Sequence, residues 1–204
     1  MEYFTKLSPQ DFETIESNKT PVILVAGMRS SGRMLLPLKE FLESKGYPTY
    51  LPPEKKNLDH LPKLAKRLIK QVQKIQKPKV QIVAHSLGGL ITLKAMQDPE
   101  FAEKVERVIA LGSPFRGSLL GVFALHDNNR KFVRYLSEET DELTSHKAIN
   151  HKFISLFAEY DEVVIPQKCA TLRYAKENAE IPIIGHFNLI VDPKAFKEIA
   201  KRLV

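Results

Sequence analysis

Two periods of hydrophobicity alternate along this chain. Short continuous apolar runs rich in β-branched residues are followed by longer stretches whose apolar positions recur every three or four residues. The run "PVILVAG" (21–27) has no polar alternation, as expected for a strand buried on both faces of a sheet. "SGRMLLPLKEFLESKGY" reads as a helix ending near Gly46, with Pro37 in its first turn or at a kink. "YPTYLPP" is a short strand ended by prolines. From Asp59 to Lys77 the apolar residues Leu61, Leu64, Ala65, Leu68, Ile69, Val72 and Ile75 fall on one stripe of a helix, which leaves the lysines in water. "KVQIVAH" is a strand, "LGGLITLKAMQ" a helix, and "VERVIALGSP" a strand running into a loop. "HKFISLFAEYDEVVIP" and "AEIPIIGH" each give a further strand. "DPKAFKEIAKRLV" is a helix, with Asp192 as N-cap and Pro193 as its first residue.

Strands separated by helices imply an α/β fold with a mostly parallel sheet of about six strands and helices on both faces. The 204 residues suit a single domain, 1–204, with no internal repeat or linker. Only residues 115–150 are irregular. Their short apolar patches "LLGVFAL" and "FVRYL" suggest one or two small helices over the C-terminal edge of the sheet, forming a short cap.

Composition narrows the function classes. The chain is 43% hydrophobic and 27% charged, ordinary values for a soluble globular protein. Its net charge of +7 comes mostly from lysines on the exposed helix faces, where solvation is sufficient reason for them. Attraction to anionic lipid or an acidic substrate is the secondary reading. No basic block is interleaved with aromatics, which argues against nucleic-acid binding. Cys169 is the sole cysteine, so no internal disulfide forms and a cytosolic setting is allowed. The N-terminus lacks the apolar core of a secretory signal, and no apolar stretch is long enough to span a bilayer. A soluble cytoplasmic monomer or homodimer is the expectation, with no metal or organic cofactor.

The chemistry concentrates at "VAHSLGG" (83–89). A serine at the tip of a sharp strand-to-helix turn is forced into strained dihedrals, and the residues two before and two after it must be small. Ala84 and Gly88 meet that need, which makes Ser86 a candidate nucleophile of the G-x-S-x-G type, with alanine for the first glycine. A plain helix cap is the alternative for Ser86. An activated serine needs a base and an orienting carboxylate, at the ends of later strands and in the order serine, acid, histidine. Asp161 follows "FISLFA" and His186 follows "IPIIG", each just past a strand. Glu159 and Glu162 are rivals for the acid. His126, His146 and His151 precede Asp161 and break the order, His60 precedes the serine, and His85 leaves the turn in another direction, as a structural polar contact. Asp127 and Asp141 read as surface or cap residues.

An acyl-transfer intermediate also needs two backbone donors at its oxyanion. The N–H of Leu87, after the serine, is one candidate. The other is the N–H of Met28, in the "VAGMRSSGR" loop that Gly27 allows to turn tightly. Arg29 is either surface charge or a contact for an anionic substrate.

Taken together these blocks resemble the α/β-hydrolase superfamily, and in size the minimal bacterial lipases and esterases with an A-H-S-x-G-G elbow. The resemblance rests on "ILVAGMRSSGRMLLPLKEFLESKGYPTYLPP", "VAHSLGG", "LGSPFRGS", "YDEVVIP" and "IGHFNLI", in the family's order from about residue 21 onward. It implies a carboxylic ester hydrolase with Ser86 as nucleophile, His186 as base and then acid, Asp161 orienting His186, and Met28 and Leu87 as oxyanion donors. "GSPFRGS" is similar to the segment that walls the family's acyl pocket, which adds Pro114 and Phe115 to Gly27 and Arg29 as substrate-binding candidates. The family's histidine before the oxyanion glycine is Ala26 here. A thioesterase or acyltransferase would use the same residues on another acyl donor. A non-catalytic binding protein on the same scaffold is the reading from a different class.

Overall fold

The computed structural model describes residues 17–28, 32–52, 59–120 and 138–204. In chain order the strands are β1 (Val22–Val25), β2 (Thr49–Tyr50), β3 (Val80–His85), β4 (Val105–Leu111), β5 (Phe153–Tyr160) and β6 (Glu177–Ile184). The helices are α1 (Leu36–Ser44), α2 (Leu61–Gln73), α3 (Leu87–Ala95), α4 (Pro99–Lys104), α5 (Glu138–Thr144), α6 (Lys147–Asn150) and α7 (Pro193–Ala200).

The six strands form one sheet in the order β2-β1-β3-β4-β5-β6, and every pairing is parallel. The continuous apolar runs are explained by cover on both faces. Along β1, Ile23 and Val25 join the core under α2 and α3, while Val22 and Leu24 join the core under α1 and α7. β4 divides in the same way, with Val108 and Ala110 to one side and Ile109 and Leu111 to the other. α2 buries the stripe Leu61, Leu64, Ala65, Leu68 and Val72. α3 is apolar nearly all round, because it is enclosed between the sheet and α2. Gln81, polar yet fully buried in β3, exchanges hydrogen bonds with the backbone of Val204, at 2.8 and 3.0 Å, and so ties down the segment after α7.

One topological feature decides where a site can lie. The chain leaves β1 for β2 on one side, then returns across the sheet to β3 on the other side of β1. At such a reversal the loops leaving β1 and β3 diverge to opposite faces and open a crevice at the carboxyl ends of the strands.

One element is added to those the pattern gives. The segment 99–104, not assigned from the pattern, forms α4, capped by Asp98, whose side chain accepts the N–H of Phe101. Two helices, α5 and α6, follow residue 137. Leu143 of α5 packs in the core below α3, and α6 leads into the first residues of β5. Residues 121–137, the rest of the expected cap, lie outside the described residues.

Candidate functional site

β3 ends at His85, and α3 starts at Leu87, so Ser86 alone makes the turn between them. Its φ of 55° and ψ of −125° lie in a sparsely populated region for a residue with a β-carbon. Such a conformation costs on the order of 1–3 kcal/mol and persists only where surrounding structure imposes it. The surrounding structure is visible. Ser86 N–H donates to Leu111 O of the neighbouring strand at 2.8 Å, and Gly89 N–H donates back to Ser86 O at 3.1 Å. Gly88 is required because a β-carbon there would stand 2.6 Å from Val25 O and 3.0 Å from Ala26 O. A β-carbon on Gly27 would stand 2.9 Å from that of Ser86. The loop after β1 and the turn after β3 are thus in direct contact, and Met28, half-buried, packs against the α2–α3 core. Leu87 is the first residue of α3, where N–H groups have no partner within the helix and the helix dipole favours negative charge.

Asp161 follows β5 and is fully buried. Its Oδ1 accepts the N–H groups of Val163 and Val164, both at 2.8 Å, and its Oδ2 meets His186 Nδ1 at 2.8 Å. Burial works against the charge of Asp161. The hydrogen bond and positive potential of His186, with the two amide donors, still hold its pKa below the ordinary carboxylate value. An ionised carboxylate only accepts, so His186 Nδ1 carries the proton and Nε2 is the basic nitrogen. His186 is itself 2% exposed, which keeps the pair dry. The glutamates compared with Asp161 are elsewhere: Glu159 is exposed, and Glu162 Oε2 accepts the His186 backbone N–H at 2.9 Å.

The structure therefore joins Asp161 to His186 and places Ser86, Leu87, Gly27 and Met28 together at the β1–β3 crevice. The hydrogen bonds among the described residues do not include the Ser86 hydroxyl. The two groups are connected through His85. Its Nε2 lies 3.3 Å from His186 O, and its ring lies 4.6 Å from the His186 ring. Burial, then the neighbouring His186, push the His85 pKa down to about 3, so the ring is neutral. This is the structural polar contact anticipated for it. Arg29 lies outside the described residues.

Pro114 and Phe115 are buried. Phe115 has no exposed surface and stands edge-on to Phe153, with ring centroids 6.0 Å apart. Its ring would stand 3.2 Å from a β-carbon added to Gly89, and so it packs against α3. It also borders a cavity of about 750 Å³ shared with Arg116, Thr144, Leu172, Arg173 and Asn178, which none of Ser86, Asp161 and His186 lines.

One residue went unnoticed in the sequence. Gly112, directly after β4, has φ +54°, and a β-carbon on it would stand 3.2 Å from both Asp161 Oδ2 and His186 Cε1. The only signal was a glycine just after a strand, at the same edge as the serine.

The comparisons with known proteins agree with this architecture. The mature lipase BlEst2 of Bacillus licheniformis superposes with a TM-score of 0.78 at 17% identity, over 94% of this chain and 95% of that one. Lipase B of Aspergillus fumigatus gives a TM-score of 0.78 at 19% identity over 92% of this chain, which spans only 53% of that protein. MGS-MChE2, an α/β-hydrolase enzyme from the metagenome of Mar Chica lagoon sediments in Morocco, gives 0.66 at 18% identity, over 91% and 90% of the two chains. These likenesses fix the fold as that of the α/β-hydrolases. None of the curated proteins compared matches the sequence. Among the described residues no helix is long and apolar enough to cross a membrane. The model of the PGAP1-like alpha/beta domain matches residues 55–186, well over half of the chain and inclusive of Ser86, Asp161 and His186, and the protein belongs to that family.

Proposed function

We propose that this protein is a serine hydrolase of carboxylic esters, acting on a small-molecule or lipid ester through an acyl-enzyme on Ser86. The observation that carries the reading is the buried Asp161–His186 hydrogen bond at 2.8 Å, set at the same sheet edge as a serine held at φ 55°. That His186 and Ser86 are not hydrogen-bonded fits a resting site, because such bonds often tighten only when substrate is present.

In this mechanism His186 Nε2 takes the Ser86 proton as Oγ attacks the ester carbonyl. Asp161 remains ionised and stabilises the imidazolium through Nδ1–H. The oxyanion is received by the N–H groups of Leu87, at the α3 N-terminus, and Met28. His186 then protonates the departing alcohol, and the same base activates the water that releases the acid. The lipases among the structural neighbours support an ester as substrate class, and the family match supports the scaffold.

The test is labelling by a fluorophosphonate probe, with turnover of a chain-length series of nitrophenyl esters, on wild type and Ser86→Ala. Wild type is expected to label and hydrolyse. Ser86→Ala is expected to lose labelling and at least a thousandfold in kcat. Equal turnover by both would overturn the assignment. Absence of labelling in the folded wild type would favour a non-catalytic binding role. Matched thioesters in the same panel decide between an ester and a thioester as acyl donor.

A further inference from the structure

His186 sits where the backbone is easily turned. It follows Gly185, at φ +101°, and opens a single 3-10 turn, Phe187–Ile190. The Asp161 bond fixes the ring at one nitrogen, but a ring on a mobile peptide could still rotate about that bond. Two further contacts take hold of the peptide on either side of the Cα. Glu162 Oε2 accepts the His186 N–H at 2.9 Å, and His85 Nε2 lies 3.3 Å from the His186 carbonyl oxygen. Since a carbonyl can only accept, the His85 nitrogen is the donor.

We infer that His85 and Glu162 are positioning residues that clamp the main chain of His186 and so set its basic nitrogen against Ser86. The inference rests on the proposed roles of Ser86, Asp161 and His186. Its logic lies in chain adjacency. His85 directly precedes Ser86, so the segment that carries the nucleophile also holds the carbonyl of the base. His186 cannot shift relative to Ser86 without breaking that bond. Glu162 directly follows Asp161, so two consecutive carboxylates divide the work: the buried one takes the ring, and the exposed one takes the backbone. The rings add a third constraint. His85 and His186 pack at 4.6 Å, and Phe187 stands edge-on to His186 at 5.5 Å and lies 5.9 Å from His85. The titratable groups facing His85 are His186 and Asp161. A neutral His85 neither competes for the Asp161 carboxylate nor repels the imidazolium that forms on His186.

The experiment is steady-state ester hydrolysis, with kcat and KM resolved and the pH profile recorded, for Glu162→Ala, Glu162→Gln, His85→Phe and His85→Gln. Glu162→Ala removes the acceptor, and His85→Phe keeps a ring but removes the donor. Both are expected to lose roughly ten- to a hundredfold in kcat with KM nearly unchanged, the scale of a misplaced catalytic group. Glu162→Gln keeps an acceptor and His85→Gln keeps a donor, and each should restore most of the lost kcat. Unchanged kcat in Glu162→Ala and His85→Phe would overturn the clamp. If His85→Phe fails to fold, Glu162→Ala, at an exposed position, decides the outcome alone. Probe labelling of wild type and Ser86→Ala in the same series separates the two failures. Labelling that does not depend on Ser86 overturns the catalytic reading. Ser86-dependent labelling with fully active clamp variants overturns only the clamp.

Discussion

Gly112 is in contact range of His186, at the point where a side chain would do the most harm. A β-carbon there would lie 3.2 Å from His186 Cε1, 3.2 Å from Asp161 Oδ2 and 2.8 Å from Leu189 Cδ1. The φ of +54° adds a backbone cost of roughly 1–2 kcal/mol for any residue other than glycine. Gly112→Ala is therefore expected to lose about 1–2 kcal/mol in urea denaturation. It should also lose about tenfold or more in kcat, because relief of the Leu189 clash pushes against the Asp161–His186 pair. A variant destabilised but fully active would show that the pair tolerates the intrusion.

A second pair of glycines separates steric need from conformational need. Gly88 meets main-chain atoms, the carbonyl oxygens of Val25 and Ala26, which cannot rotate away as a side chain can. Gly46, where the chain leaves α1, has φ +79° but no atom within 4 Å of an added β-carbon. Gly46→Ala should cost about 1 kcal/mol with ester hydrolysis intact. Gly88→Ala should cost about 3 kcal/mol and displace the Met28 loop. Denaturation midpoints and initial rates on both variants check this. Equal losses of stability would refute the distinction.

These glycines also mark how far the sequence could be read. β1 was legible because both its faces are covered, so it appears as an unbroken apolar run, and β3, β4 and β5 keep buried apolar stretches of the same kind; β6, at the sheet edge, alternates polar and apolar residues instead. The order of the candidate site was legible because the proposed mechanism asks for serine, acid and histidine at later strand ends in that order, here after β3, β5 and β6. The choice of Asp161 over Glu162 was not forced, since adjacent residues at one strand end differ only in where their side chains point. The burial of Phe115 was illegible for the same reason: "GSPFRGS" places it after a strand but not on which side of the loop it packs. α4 leaves only a faint trace, Asp98-Pro99 as N-cap and first-turn proline, because its 6 residues run straight into β4 with no turn signal between them. Gly112 is a contact between distant segments, and nothing local records it.

The strain at Ser86 gives a third prediction. Glycine reaches φ 55°, ψ −125° without a β-carbon clash, whereas alanine keeps the clash and loses the hydroxyl. Relief of on the order of 1–3 kcal/mol is partly offset by about 0.5–1 kcal/mol of extra unfolded-state entropy for glycine. Ser86→Gly is expected to be about 1 kcal/mol more stable than Ser86→Ala, and both should be inactive. A urea titration of the two variants measures the difference, and an Ser86→Ala that equals or exceeds Ser86→Gly would mean the turn is not strained.

His85 should leave a signature in the pH dependence of stability. Burial, followed by the positive potential of His186, lowers its pKa from 6.5 to about 3, against the opposing pull of its hydrogen bond to His186 O and the charge of Asp161. Above pH 6.5 the ring is neutral in the folded and unfolded chains and contributes no slope. Below 6.5 the unfolded chain takes up a proton that the folded one refuses until about pH 3. Stability therefore falls with pH across that window, by up to about 1.4 kcal/mol per pH unit. Asp161 acts in a lower window. Its pKa is depressed in the folded state, so its stabilisation is present above the ordinary value of 3.8 and is lost as the pH falls below it. His85→Gln removes the upper window and leaves the lower one. Urea midpoints at pH 4, 5, 6 and 7 should decline more gently for His85→Gln than for wild type, and the two should run parallel above pH 7. Parallel curves throughout would mean that His85 takes its proton in the folded protein as readily as in the unfolded chain.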